Sequence, residues 1–213
     1  MSSRGAMIAN QLRGRGIRSL AVLDAFAAIP REAFVDPELR ALAYADRPLP
    51  IGHGQTISQP YIVALTTELL ALHGTERVLE IGTGSGYAAA ILGRLAKRVE
   101  TIERIPELAE RARATLASLG ITNVHVHCAD GSLGWPAKGP YDAIAVAANA
   151  PAPPPSLRAQ LAIGGRLVLP VGPDRQQRLV KIVRDHDDIF DERELAPVAF
   201  VPLVGAEGWP APA

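Results

Sequence analysis

Polar side chains cluster in the stretch "GQTISQPY", residues 54–61, which follows a glycine- and proline-rich segment and precedes an apolar helical pattern. Its side chains can form hydrogen bonds, and no histidine, cysteine or acid lies among them: Gln55, Thr56, Ser58, Gln59 and Tyr61. Hydroxyl and amide groups of this kind can hold and orient a ligand. The alternative from the bare sequence is that Ser58 simply caps the helix that follows.

A glycine-rich turn, "VLEIGTGSGY", joins a predicted strand to a predicted helix. Gly82, Gly84 and Gly86 let a ligand approach the backbone closely, and the helix N-terminus offers free amides. The third glycine comes one residue earlier than in the dinucleotide-binding fingerprint, and Glu80, just before the first glycine, would repel a pyrophosphate. An acid there suits a cationic ligand, and S-adenosylmethionine carries sulfonium and ammonium groups.

Two further acids follow predicted strands. Glu103 ends the second strand of the alternating pattern, at the position where a carboxylate can accept both hydroxyls of a ribose. Asp130 follows the third strand and could accept a hydrogen bond from an adenine amino group. Because the carboxyl ends of parallel strands meet at one edge of a sheet, the sequence predicts an S-adenosylmethionine site there, with S-adenosylhomocysteine as product. The structural alternative is that the glycines only form a tight turn.

These residues must be positioned by a sheet in which strands alternate with helices. Such alternation predicts a three-layer, doubly wound, Rossmann-like α/β fold of the methyltransferase type with a mainly parallel central sheet. Strands are predicted over residues 77–82, 98–104, 123–130, 141–148 and 165–172, and helices over residues 87–97, 105–120 and 156–163. The tail predicts two antiparallel strands joined by a polar turn at residues 185–188.

The sequence before this pattern predicts a helical N-terminal extension. Apolar residues recur at helical spacing over residues 6–17, 19–30 and 60–74, with a mostly irregular arm between the last two segments. We expect a single domain over residues 1–213. Residues 1–60 form its helical extension and substrate loop, and residues 61–213 form its cofactor-binding core.

Composition excludes several classes of function. The 213 residues include 22 basic and 22 acidic ones, so no overall field favours nucleic acid or an anionic membrane. A single cysteine, Cys128, rules out an internal disulfide and is predicted to be a buried strand residue. His125 and His127 share a strand face without a third ligand nearby, so no metal site is expected. Neither a signal peptide nor a membrane span is recognisable, which predicts a cytoplasmic protein.

The motifs together resemble the protein-L-isoaspartate O-methyltransferases, a family of S-adenosylmethionine-dependent enzymes. The resemblance runs from "NQLRGRGI" and "IPREAFVD" through "GQTISQPY", "VLEIGTGSGY", "DGSLGWP", "YDAIAVAANAP" and "GGRLVLPVG" to "FVPLVG". It implies that Ser58 is the active-site residue. The implied donor contacts are Thr56, Ile57, Glu80, Gly82, Thr83, Gly84, Gly86, Glu103, Arg104, Asp130 and Gly131. The implied substrate contacts are Thr56, Ser58, Ala148, Asn149 and Pro151.

The resemblance also implies a reaction, in which a methyl group passes to the free α-carboxylate of L-isoaspartyl residues in damaged proteins and peptides. The methyl ester then collapses to a succinimide. A carboxylate with a pKa near 3.5 is ionised at neutral pH, so no general base is required. The expected partners are isoaspartyl peptides and proteins, without nucleic acid or membrane, and the expected state is a monomer.

Two departures from the family pattern bear on these expectations. Ala129 stands where many members have glycine, and Asn149 interrupts a run of alanines, which predicts that Asn149 lines the peptide groove and tunes sequence preference. Three alternatives remain: a methyltransferase acting on another small molecule, one acting on RNA, or a non-catalytic cofactor-binding module. His53, in the glycine-rich loop, is predicted to be solvated rather than a base.

Overall fold

The computed structural model describes residues 3–186 and 189–211 of the chain. The N-terminal helix begins as α1 (Arg4–Ala6), continues as a π-helix over Met7–Leu12 and tightens into a 3-10 turn over Arg13–Arg15. Helix α2 (Leu20–Ala28) is capped by Ser19, whose hydroxyl oxygen accepts the amide of Val22. The predicted helical extension is confirmed.

The arm after α2 contains more regular structure than the sequence predicts. It holds two 3-10 turns, over Arg31–Phe34 and Pro37–Leu42, and an antiparallel hairpin of β1 (Leu49–Gly52) and β2 (Gln55–Ile57). The strands were missed because glycine and proline interrupt them before an alternating pattern develops. Helix α3 (Pro60–Leu70) then ends at Ala71, which is left-handed with φ 49° and lies before Gly74.

The central sheet matches the predicted α/β architecture. Within the described ranges it has seven strands, in the order β5-β4-β3-β6-β7-β8-β9. Strands β3 to β7 are parallel, whereas β8 and β9 add antiparallel to one edge. The elements after α3 are β3 (Arg77–Ile81), α4 (Tyr87–Leu95), β4 (Arg98–Glu103), α5 (Pro106–Ser118), β5 (Val124–Cys128), β6 (Tyr141–Val146), α6 (Pro155–Ala159), β7 (Leu161–Val171), β8 (Arg178–His186) and β9 (Ile189–Pro197).

Apolar residues cover both faces of this sheet. Val78 and Val99 belong to the cluster that also buries α2, α3 and α4, whereas Leu79 and Ile102 belong to the cluster around α6. The inner strands β3 and β4 are therefore buried on both sides, as expected for a parallel sheet between helical layers. The N-terminal helices share the first cluster through Met7 and Leu12, so they pack onto the sheet rather than apart from it.

Three local predictions need correction or comment. Cys128 is exposed rather than buried, because it ends β5, the edge strand of the sheet. The helix predicted over residues 156–163 is shorter, since β7 already begins at Leu161. The predicted polar turn at residues 185–188 falls partly outside the described residues, which omit positions 187 and 188. No helix in the described ranges combines the length and apolarity needed to cross a membrane.

Candidate active site

A cavity of about 260 Å³ opens at the carboxyl ends of the parallel strands. It lies where the chain order reverses, because β4 and β6 flank β3 on opposite sides. Ligands of open α/β sheets bind at this position. Its walls come from the β1–β2 hairpin, the glycine turn after β3, the end of β4 and a C-terminal segment, residues 201–204.

The structure brings most of the predicted site residues into this one cavity. Those that line it are Thr56, Ile57, Ser58, Gly82, Thr83, Gly84, Glu103, Arg104, Gly131 and Ala148. Five predicted residues lie outside its lining: Glu80, Gly86, Asp130, Asn149 and Pro151. The two halves of the prediction, a polar motif near residue 58 and a glycine turn near residue 84, therefore meet at one site.

The glycine turn has backbone angles that other residues rarely adopt. Gly82 and Gly84 have φ values of 92° and 53°. A Cβ atom at Gly82 would lie 3.4 Å from the Cβ of Ala147, and one at Gly84 would lie 3.3 Å from Cδ1 of Ile51. Glycine therefore provides both the left-handed conformation and the room for the neighbouring segments and a ligand to approach the backbone.

Glu103 ties this turn to the end of β4. Its Oε2 accepts the amide of Gly84 at 2.9 Å, and its Oε1 accepts the amide of Ile105 at 3.0 Å. The side chain is buried yet lines the cavity. Each carboxylate oxygen can accept a further hydrogen bond. The carboxylate is thus preoriented by the backbone and still able to bind a hydroxyl group.

Glu80 lies beneath the cavity rather than in its wall. It is 1% exposed, and Oε2 accepts the hydroxyl of Thr101, while Oε1 has no partner among the described residues. Burial raises the pKa of Glu80 to about 8, the hydrogen bond from Thr101 lowers it in part, and the charge of Glu103 raises it further. Glu80 also lines a smaller inner cavity of about 40 Å³ that shares Ser58 and other residues with the main one.

Ser58 lies between β2 and α3 and is half-buried. It does not cap α3, because the residue at the N-cap position is Gln59 and no side chain there bonds to the helix amides. Gln59 instead donates from Nε2 to the carbonyl of Asp46 at 3.1 Å. The structure therefore gives no support to the capping alternative and places Ser58 in the lining of the cavity.

Asp130 has its carboxylate oxygens engaged within the protein. Oδ1 accepts the amide and hydroxyl of Ser132 at 2.9 and 2.7 Å, and Oδ2 accepts the amide of Ala206 at 2.8 Å. Partial burial raises the pKa of Asp130, but the hydrogen bonds from Ala206 and Ser132 and the charge of Arg104 outweigh burial and leave it below its usual value. Its neighbour Gly131 lines the cavity.

Asn149, which is predicted to line a peptide groove, is buried and lies outside the lining of the cavity. Asn149 is 3% exposed, and its Nδ2 donates to the carbonyl of Gly172 at 2.8 Å. Its backbone pairs with the C-terminal segment through Val201 and Leu203, each at 2.8 Å. A side chain held in this way anchors neighbouring segments, while its Oδ1 has no hydrogen-bond partner among the described residues. Pro151 is exposed outside the cavity, whereas Ala148 lines it.

Several cavity residues escaped the sequence analysis. They are His53, Gln55, Val63, Ser85, Tyr87, Val201, Pro202, Leu203 and Val204, among others. Gln55 belonged to the polar motif and could have been included. His53 is exposed, as predicted, yet its left-handed conformation, φ 52°, places it at the rim. The C-terminal residues carry no chemical signal, and they reach the site by long-range contacts such as the backbone pairing of Val201 and Leu203 with Asn149.

The two strand histidines form no metal site. His127 lies 2.6 Å from a carboxylate oxygen of Glu100 and stacks on Trp135, with ring centroids 4.2 Å apart. Trp135 thereby packs its loop against edge strand β5. In the described part of the chain no group of three or more potential ligands could hold a metal ion.

Comparison with known proteins decides between the possible methyltransferase classes. The model of the protein-L-isoaspartate(D-aspartate) O-methyltransferase family matches residues 2–208. The chain belongs to this family. The resemblance, the Rossmann-like methyltransferase fold and the expectation of a methyltransferase are thereby confirmed.

Relatives in this family are similar over nearly the whole chain. Protein-L-isoaspartate O-methyltransferase 1 of Rhodopseudomonas palustris (strain HaA2) is 59% identical, over 98% of this chain and 85% of its own. Protein-L-isoaspartate O-methyltransferase 2 of Pelobacter propionicus is 58% identical, over 97% of this chain and 92% of its own. The N-terminal extension and the core are therefore shared with these relatives.

Solved structures have the same fold. A protein-L-isoaspartate O-methyltransferase with 30% identity superposes with a TM-score of 0.87, over 97% of this chain and 67% of its own. A Plasmodium falciparum protein described as a putative family member, in complex with S-adenosyl-L-homocysteine, is 25% identical. It has a TM-score of 0.84, over 96% of this chain and 99% of its own.

Proposed function

We propose that this protein is a repair enzyme that transfers a methyl group from S-adenosylmethionine to the free α-carboxylate of L-isoaspartyl residues. The observation that carries the proposal is that Ser58 of the polar motif lines the same cavity as the glycine turn and Glu103. One family member has the donor's product as its ligand, and close relatives carry the isoaspartate name. The methyl ester then collapses to a succinimide, which can reopen to a normal aspartyl residue.

The residues on the donor side fit S-adenosylmethionine. The glycine turn leaves room for a ligand beside the backbone, and the preoriented carboxylate of Glu103 suits ribose hydroxyls. The unpartnered Oε1 of Glu80 adds anionic character beneath the site once that carboxyl loses its proton. We propose that Thr83, Arg104 and Gly131 complete the donor side, together with Thr56 and Ile57 from the hairpin. When bound, the donor supplies an electrophilic methyl group on a positively charged sulfur.

Gly86 and Asp130 support the donor side without lining it. Gly86 has φ 89°, and its Cβ position would lie 3.3 Å from the Cβ of Ala112, so it lets α4 pack closely against α5. We propose that Asp130 accepts a hydrogen bond from the adenine amino group of the donor. The lone pairs left on its oxygens allow this, although the Ser132 and Ala206 contacts already use both atoms.

The acceptor needs orientation rather than a base. An α-carboxylate with a pKa near 3.5 is ionised at neutral pH and is already nucleophilic. Ser58 and Thr56 line the cavity, and their hydroxyl groups can donate hydrogen bonds to one carboxylate oxygen and so direct it. Transfer also brings opposite charges together, and apolar walls such as Ala147 and Ala148 favour that step by lowering the local dielectric.

We propose that the chain acts as one domain and as a monomer in the cytoplasm. Residues 1–60 and the core share one hydrophobic cluster, which supports the single domain. The 22 basic and 22 acidic residues give no overall charge for binding nucleic acid or an anionic membrane. Isoaspartyl peptides and proteins are then its partners, and no observation favours a small-molecule or RNA acceptor.

The proposal is tested by incubating the protein with methyl-labelled S-adenosylmethionine and a synthetic isoaspartyl peptide. Base hydrolysis of the ester should release labelled methanol in proportion to time and enzyme. A protein that binds the donor but forms no ester would be a cofactor-binding module, and the proposed function would fail.

A further inference from the structure

The C-terminal strap, residues 201–209, folds over one side of the cavity. Its first half lines the cavity and pairs with Asn149 through Val201 and Leu203. Its second half turns back, since the amide of Trp209 donates to the carbonyl of Leu203 at 2.7 Å and that of Gly205 to the carbonyl of Trp209 at 3.1 Å. The tip of the strap, Ala206 and Glu207, therefore forms the turn between Leu203 and Trp209, and it makes contacts of its own.

Two contacts hold the tip beside the donor side of the cavity. The amide of Ala206 donates to Oδ2 of Asp130 at 2.8 Å, and the amide of Glu207 donates to the hydroxyl of Ser132 at 3.0 Å. The fit is tight, because a Cβ atom at Gly205 would overlap the Asp130 carboxylate and the Ser132 hydroxyl. The tip thus rests on the residues directly next to Gly131, which lines the cavity.

The carboxylate of Glu207 makes the third contact, on the outer side of the tip. Its Oε2 accepts the amide of Ser156 at 2.8 Å, and its Oε1 accepts the hydroxyl of Ser156 at 2.6 Å. Ser156 lies at the start of α6, which packs into the core through the fully buried Leu157. Two hydrogen bonds that one carboxylate accepts from a residue fixed in this way form a strong and directional contact.

We propose that Glu207 is a positioning residue for the donor side of the site: by accepting the hydrogen bonds of Ser156 it keeps the tip of the strap closed on Asp130. Glu207 does not line the cavity, so it acts through the strap. Loss of its carboxylate should free the tip while the first half stays paired with Asn149. Donor binding, on the Asp130 side, should therefore suffer more than the reaction of the fully loaded enzyme.

This inference rests on the proposed function, and its test separates the two. Calorimetry with S-adenosylhomocysteine measures the donor side without turnover. For Glu207→Ala we expect Kd to rise about 2- to 30-fold, the range for a residue that acts through packed neighbours. The KM for S-adenosylmethionine should rise with it. Because a saturating concentration of S-adenosylmethionine fills the donor site even when its affinity is lower, kcat should stay within about twofold of the parent value.

Companion variants identify the contact. Ser156→Ala should shift Kd in the same direction by less, because its amide still donates to Glu207. The double variant should bind no more weakly than Glu207→Ala alone, as expected for two partners in one contact. The matched control is Glu192→Ala, which removes a carboxylate that pairs with Arg158 of α6 but is not part of the strap. Its donor affinity should equal that of the parent.

The fluorescence of Trp209, which lies in the strap, reports directly how exposed the strap is to solvent. The chain has two tryptophans, and Trp135→Phe leaves Trp209 as the sole emitter. In that background Glu207→Ala should increase acrylamide quenching of Trp209 while the melting temperature changes little.

Parental donor affinity and parental quenching in Glu207→Ala and Ser156→Ala would overturn the inference. If Glu207→Ala fails to fold, Glu207→Gln replaces it, because glutamine keeps one oxygen that can accept a hydrogen bond. The same changes in donor affinity and in quenching are then expected, and their absence would again overturn the inference. An inactive parent protein would instead contradict the proposed function.

Discussion

Gly84 donates its amide hydrogen to Oε2 of Glu103 at 2.9 Å, which joins the glycine turn after β3 to the end of the neighbouring strand β4. The contact sets the direction of a carboxylate that is only 6% exposed yet faces the cavity. A second amide, that of Ile105, fixes its other oxygen. The most chemically specific group on the donor side is therefore positioned by backbone alone, before any ligand binds.

Glu103→Ala should weaken binding of S-adenosylhomocysteine by about 1 to 3 kcal/mol, because hydrogen bonds to a charged group are then unmade. Calorimetry measures the loss. Glu107→Ala, which removes an exposed glutamate from the first turn of α5, is the matched control and should bind normally. Unchanged affinity in Glu103→Ala, with the fold intact, would reject the role of Glu103.

Glu80 should make stability depend on pH. Burial raises its pKa in the folded protein from its ordinary value of 4.5 to about 8, so between these values the folded state keeps a proton that the unfolded state has released. Raising the pH through this window therefore favours unfolding, by at most about 1.4 kcal/mol per pH unit from this group. Urea unfolding from pH 5 to 8 measures the slope, and Glu80→Gln should flatten it. Parallel profiles for parent and variant would contradict the assignment.

Asn149→Ala should cost stability rather than alter substrate choice. The change removes the donor to the carbonyl of Gly172 and should lower the free energy of unfolding by about 1 to 3 kcal/mol. Preferences across a panel of isoaspartyl peptides should match those of the parent, because the side chain lies outside the lining of the cavity. The exposed Asn10→Ala is the stability control. An altered peptide profile would support the groove-lining hypothesis.

The sequence predicted the sheet well because buried parallel strands are continuous runs of branched residues, as in "RVLEI" and "RVETIE". The donor side followed from the same feature, since Gly82, Glu103 and Gly131 all come directly after such strands or end them. These positions depend on chain order and strand direction, which local patterns reveal.

Positions set by distant contacts could not be predicted in this way. The hydrogen-bonding options of Asn149 look the same whether it faces a groove or the carbonyl of Gly172, and only the fold decides. Cys128 has the alternation of a buried strand, but its place at the sheet edge exposes it. The strap reaches the cavity by pairing with residues about 50 positions earlier, which no local pattern encodes.

Ser58→Ala should lower the single-turnover rate by about 10- to 1,000-fold, because one oriented hydrogen bond to the acceptor is lost. Donor affinity should change little. Since Ser58 does not cap α3, the free energy of unfolding should change by less than the roughly 1 kcal/mol expected for a lost cap. Ser58→Thr, which keeps a hydroxyl, should recover part of the rate. A Ser58→Ala protein that is less stable but keeps the parental single-turnover rate would contradict a catalytic role of Ser58.

The central claim is that this site recognises the isoaspartyl carboxylate, and paired peptides test it most directly. The two peptides share one sequence and differ only in whether the acid residue is linked through its β- or its α-carboxyl group. An isoaspartyl residue offers a free α-carboxylate on a backbone lengthened by one methylene, whereas an aspartyl residue carries its acid on a side chain at another angle. We expect methyl ester formation, measured as labelled methanol, on the isoaspartyl peptide and none above background on its aspartyl twin. Equal methylation of the two peptides would contradict it.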